Sequence, residues 1–154
     1  MISSKCDEAI KCFNAGFNCS QAVLSTYCER LGLSKETALK IACPFGGGMA
    51  RTGETCGAVT GAYMLIGLKE GKYLPEDGGA KENTYRLVHE FNDRFKEIYG
   101  SLLCKDILSC DISTEKGMKF AEEHNLYKTL CPGFIRDASI IIEDLLELNP
   151  AENE

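Results

Sequence analysis

Nine cysteines among 154 residues are the groups in this chain with the most chemistry in them. Their number is odd, so they cannot all pair within one chain. With thiols mostly reduced, cysteines point to metal or redox chemistry more than to a disulfide framework. No C-x2-C occurs, which excludes a zinc ribbon and the common ferredoxin spacings. Local chelation fails as well. Cys6 and Cys12, six apart, point in different directions on a helix turning ~100° per residue, and Cys19 and Cys28, nine apart, fall on opposite faces. A cysteine site must be assembled from separate helices, as sites in bundle cores are. Four cysteines occupy ends and turns where ligands can converge: Cys19, Cys56, Cys104 and Cys131. Cys19 and Cys56 each stand at an expected helix start, where terminal amide groups favour a thiolate. Cys43 is a candidate fifth member. Cys12 and Cys28 read as buried small hydrophobes within helices, while Cys6 and Cys110 are open between surface and core.

The stretch CPFGGGMARTGETCGAVTGAYMLIGLKEG, Cys43 to Gly71, organises the rest. Gly47 and Gly48 let the backbone pass close to a bound centre and aim amide groups at thiolates or sulfides. Gly57 and Gly61 form a small-xxx-small pattern, which means close helix packing or room for a centre beside Cys56. Arg51 and Glu54 are expected to pair with each other, or Glu54 to cap the Cys56 helix, unless the turn is simply solvated. The spacing Gly48 to Thr55 matches a phosphate-binding loop, but Glu54 stands where the lysine belongs and no strand precedes it. His89, in HEFND, lacks the second histidine of H-E-x-x-H. His124 falls near a helix C-terminus, where its charge suits the dipole.

The elements that must position these groups are helical. Apolar residues recur at three and four, and no stretch alternates with period two. Ser3 or Ser4 caps a first helix ended by Gly16. Asn18 caps a second, stopped at Gly32, and Ser34 starts a third that ends near Cys43 because Pro44 follows. The Cys56 helix runs to about Gly71, and LPEDGG is a loop. A long helix follows with Val88, Phe91, Phe95 and Ile98 on one face, ended by Gly100. Ser101 caps a short segment around Cys104. Another helix spans about Thr114 to His124. The last starts near Pro132, carries Ile135, Ala138, Ile141, Ile142, Leu145 and Leu146 as its stripe, and stops at Asn149-Pro150. The expectation is an all-α, single-domain helical bundle of about six to eight helices over residues 1–150, with residues 151–154 as a polar tail.

The segment GGGMARTGETCGAVTGAYMLIGLKEG, preceded by NCSQAVL and followed by Cys104 and Cys131, resembles the C_GCAxxG_C_C family, whose members are described as redox-active. The likeness covers nearly the whole chain. The family's first cysteine matches Cys19, its motif cysteine Cys56 in CGAVTG, and its last two Cys104 and Cys131. There is one departure: the family pattern reads Gly-Cys-Ala, whereas this chain reads Cys56-Gly57-Ala58. The resemblance implies a redox protein and makes an iron–sulfur cluster a live reading. It assigns no role to Cys6, Cys12, Cys28, Cys43 or Cys110.

Net charge is −6, which argues against nucleic acid as a partner. The N-terminal residues carry charge throughout and lack the apolar core of a signal peptide, so a cytoplasmic protein is expected. The apolar run from Cys56 to Leu68 is too short to cross a hydrocarbon core of ~30 Å. Three functions follow from the four cysteines. The first is redox or electron transfer with an iron–sulfur cluster, most simply [2Fe–2S], on Cys19, Cys56, Cys104 and Cys131, serving a redox partner protein. The second is a dithiol–disulfide oxidoreductase without metal, with Cys19 and Cys56 as the natural pair. The third is a non-catalytic interaction module closed by a structural four-cysteine zinc site. Whether the protein is an enzyme, and whether it forms a homodimer, the sequence leaves open.

Overall fold

Residues 4–149 are described by the computed structural model, and they form an all-α assembly. Ten α-helical segments follow one another: α1 Cys6–Asn14, α2 Cys19–Tyr27, α3 Lys35–Ala42, α4 Gly46–Met49, α5 Gly57–Glu70, α6 Gly78–Tyr99, α7 Cys104–Ile107, α8 Glu115–Glu123, α9 Leu126–Thr129 and α10 Cys131–Leu145. Three of them, α4, α7 and α9, are four-residue turns, α4 with left-handed backbone at Gly47 and Gly48, and two short 3₁₀ turns continue α2 and α3. Among the described residues the one strand-like feature is an isolated bridge between Thr55 and Leu103. The polar tail and Pro150 lie outside the described residues, as does Ser3.

Local signals account for most of the boundaries. Asn18 caps α2 by accepting from the Gln21 amide at 3.0 Å, and the Gln21 side chain accepts from the Asn18 amide at 2.9 Å, a reciprocal capping box. Ser34 and Thr114 cap α3 and α8 by accepting from the Thr37 and Gly117 amides. Two expected caps differ. The α1 cap position falls on Lys5, with Ser4 Oγ accepting from the Cys6 amide just outside it. Ser101 lies before α7, where it accepts from the Leu103 amide and donates to Asp106. The LPEDGG loop is shorter than expected, because Asp77 caps α6 and draws Gly78 and Gly79 into its first turn.

The core is built from α2 and α5 crossing closely, with α6 and α10 against them. Gly57 and Gly61 explain the approach. A Cβ at Gly61 would stand 2.9 Å from the Ser20 carbonyl oxygen, and one at Gly57 would stand 3.0 Å from the Ser20 amide nitrogen. Phe91 and Phe95 are wholly buried on α6, each contributing about 2–3 kcal/mol by removal from water. Their stripe continues to Tyr99, one helical turn on, rather than to Ile98, which is 54% exposed. Tyr99 meets the Phe134 ring edge-on, with centroids 4.9 Å apart, joining α6 to the start of α10.

Candidate functional site

Four helix beginnings meet at one cavity of about 600 Å³, and each carries a cysteine there. Cys19 is the first residue of α2, Cys104 of α7 and Cys131 of α10, while Cys56 occupies the cap position of α5. All four are buried, all are free thiols, and all line the cavity. Their segments lie far apart in the chain, so tertiary packing alone gathers them.

Two of the thiols are joined through the backbone. The Cys56 amide donates to the Leu102 carbonyl at 2.8 Å, and the Cys104 amide donates to the Glu54 carbonyl at 2.7 Å. These bonds flank the Thr55–Leu103 bridge and hold the Cys56 and Cys104 backbones side by side. Gly48 lies beneath this pair. A Cβ there would stand 2.6 Å from the Glu54 carbonyl oxygen and 2.8 Å from the Cys104 Cβ, so only glycine fits. Cys19 and Cys131, the other two, line the same cavity, and Cys131 is the strongest influence on the Cys19 thiol.

The glycine loop has an unusual hand. Gly47, Gly48, Met49, Ala50 and Arg51 all take positive φ, between 53° and 67°. Five successive residues therefore trace a left-handed turn, where L-residues ordinarily visit singly, at roughly 1–2 kcal/mol for each non-glycine. The turn is closed by the Arg51 amide on Gly46 and the Glu54 amide on Gly48, at 3.1 and 3.0 Å. It forms one wall of the cavity, with Gly47 and Gly48 both lining it.

Cys19 and Cys56 are held toward the neutral thiol, which differs from the expectation for both. Burial pushes the Cys56 thiol up to about 12, with the neighbouring Cys19 adding to the rise; the Ala58 and Val59 amides of α5 pull the other way and lose. Cys104 is likewise pushed up to about 12, by burial first and then by Cys56. Cys19 is raised well above its ordinary value, first by the neighbouring Cys131 thiol and then by burial. The sequence marks the helix ends but not the burial that outweighs them.

The remaining candidates separate cleanly. Cys43 lines the same cavity and is exposed. Cys28 is wholly buried and Cys6 nearly so, and Cys12 is half-buried with its sulfur 3.5 Å from Ser25 Oγ. Cys110 is half-buried, 3.6 Å from the Gly117 carbonyl. Arg51 and Glu54 do not pair. Glu54 reaches Lys105 at 4.0 Å, drawn there by the backbone bonds that align residues 53 and 54 with 104 and 105. Sequence reasoning missed Tyr127 and Glu122 as cavity residues; the short α9, entered through Asn125 at φ 53°, carries no helix signal of its own.

Among the described residues no three His, Cys, Asp or Glu side chains are grouped so that they could hold one metal ion. A single zinc needs its thiolates about 2.3 Å from a common point, whereas an iron–sulfur cluster takes four cysteine thiolates across more than one iron. Four cysteines line the cavity from separate segments, which is the number of donors such a cluster takes.

The family model for C_GCAxxG_C_C, described as "Putative redox-active protein (C_GCAxxG_C_C)", matches residues 17–145. With nearly the whole chain covered, the protein belongs to this family. No curated protein and no solved structure matches it. The departure from the Gly-Cys-Ala order has a structural reading. A side chain at position 57 would begin 3.1 Å from the Cys19 Cβ, tighter than an ordinary contact, whereas Cys56 at the helix cap lines the cavity. Among the described residues no helix is long and apolar enough to cross a membrane.

Proposed function

We propose that the protein is a redox carrier holding an iron–sulfur cluster, most simply [2Fe–2S], on Cys19, Cys56, Cys104 and Cys131. One observation carries this reading: four buried thiols, each at the beginning of a different helix, ring one cavity. When bound, such a centre supplies one-electron oxidation and reduction at a potential set by its surroundings. The chain's own residues do the rest. The Cys19 amide at the start of α2, and the Ala58 and Val59 amides in the first turn of α5, favour an anionic sulfur at Cys19 and Cys56. Gly48 lets the backbone lie against the Cys104 side. Burial keeps water from Cys56 and Cys104 and raises their proton affinity, so loading a metal centre must expel protons that these thiols hold tightly. An electron-transfer role calls for a redox partner protein of unassigned identity.

A second reading has its own support. Cys131 is the strongest influence on the Cys19 thiol and lines the cavity with it, which favours a dithiol–disulfide couple with these two as the pair in place of Cys19 and Cys56. Closing it by exchange with a partner disulfide forms one S–S bond here and breaks the partner's, whose two sulfurs take up the two electrons and two protons.

The test is iron and acid-labile sulfide content, with a visible spectrum, on protein purified without oxygen. Iron with matching sulfide and visible absorption supports the first reading. A metal-free protein whose Cys19 and Cys131 become mutually protected on oxidation moves the assignment to the second. Zinc as the native content would sink both.

A further inference from the structure

The cavity extends beyond the thiols to a mouth that bears one cation and one anion. At about 600 Å³ it falls within the range of small-molecule pockets, which are mostly apolar with a few placed polar groups. Its apolar lining includes Phe13, Ile107, Ile112 and Met118. Arg51 lines it from the left-handed turn, and Glu122 lines it from α8. They are the only oppositely charged residues lining it, and among the described residues neither forms an ion pair. Tyr127, half-buried, lines the same cavity.

Surface charges commonly satisfy each other. Here both face one cavity from separate elements and stay apart. Arg51 does so from a backbone at φ 63°, with its stem against Gly47, where an added Cβ would meet the Arg51 Cγ at 3.0 Å. A ligand that meets both must carry an anion and a cation on one small frame, with an apolar body for the interior.

We propose that the cavity mouth binds a small zwitterion of the α-amino-acid class, its carboxylate on Arg51, its ammonium on Glu122 and its apolar side chain toward Ile112 and Met118. A guanidinium grips a carboxylate through paired N–H donors, and a carboxylate accepts from an ammonium. The site borders whatever the thiols hold but does not depend on it.

The probe is L-leucine, titrated calorimetrically into the full chain with and without metal, beside N-acetyl-L-leucine, which lacks the ammonium, and L-leucine methyl ester, which lacks the carboxylate. L-Leucine binds at millimolar concentration or below, and each blocked analogue binds about tenfold more weakly or worse. Arg51→Gln weakens L-leucine about tenfold and leaves the ester unchanged; Glu122→Gln weakens L-leucine similarly and leaves the N-acetyl form unchanged. Equal binding of all three compounds, binding indifferent to both substitutions, or no binding of L-leucine to the unsubstituted protein overturns the proposal. Because the heat of binding is read on metal-free protein too, failure here is distinct from failure of the cluster reading.

Discussion

Helix α10 buries polar groups at both of its ends, and the two ends are unlike. Near its C-terminus Glu143, 3% exposed, accepts from Tyr27 at 2.6 Å, from Ser4 Oγ at 2.9 Å and from the Lys5 amide at 2.8 Å. Burial and then this carboxylate push the Tyr27 phenol far up, so it stays a donor. Every partner is supplied by the chain, and the cluster ties α1 and α2 to α10. Near its N-terminus Cys131 joins three other buried thiols, and they face a cavity. Buried polar groups that are fully partnered serve the fold. The four thiols instead come together around a cavity, each from a different segment.

Four measurements break or sharpen that contrast. The largest effect is expected from Cys56→Ser, which removes one of the four thiols and should abolish metal loading in protein that still folds; unchanged iron and sulfide content would show the ligand set to be wrong. Glu143→Ala should cost about 4 kcal/mol, since it leaves Tyr27, Ser4 and the Lys5 amide without their acceptor. Denaturant unfolding gives that value, and the folded fraction should load metal normally. If loading fell with stability, the two ends would be coupled and the contrast lost.

The third is a pH dependence. In metal-free protein Cys56 and Cys104 are raised from 9.0 to about 12, so between those values the folded state holds protons that the unfolded state releases. Their contribution is therefore full below about pH 9 and is lost as pH rises toward about 12. Unfolding midpoints should fall across that window without metal and fall less with it. The smallest effect belongs to Cys12→Ser. This thiol touches Ser25 away from the cavity, and its loss should change stability by under about 1 kcal/mol and loading not at all.

Much of the fold was legible because its signals are local. Asn18, Ser34 and Thr114 announce α2, α3 and α8 through the capping chemistry of single residues, and the stripe from Ile135 to Ile142 gives the buried face of α10. The four cysteines could be chosen because ends and turns are where separate helices converge, and the chain does bring them to one cavity. Burial was not legible in the same way. Ile98 looks like core by spacing but loses its place to Tyr99, whose ring finds Phe134 across the interface. Cys19 and Cys56 look activated by their helix ends, yet the walls that raise their proton affinity come from distant segments. Glu54 faces Lys105 because of a backbone pairing that no residue type encodes. The hand of the turn after Gly46 is hidden for a similar reason: Gly47 and Gly48 permit either hand, and Met49, Ala50 and Arg51 by themselves favour the other.

That turn has a stereochemical consequence. Over residues 47–51 the backbone is close to the mirror image of an ordinary helical turn, so it is the conformation that amino acids of opposite chirality prefer. At Ala50, with φ 53° and ψ 44°, the L-methyl group sits on the unfavourable side of the backbone. A D-alanine introduced there by chemical synthesis would hold the same cavity wall from its own energy minimum, without the strain that an all-L chain carries at this position.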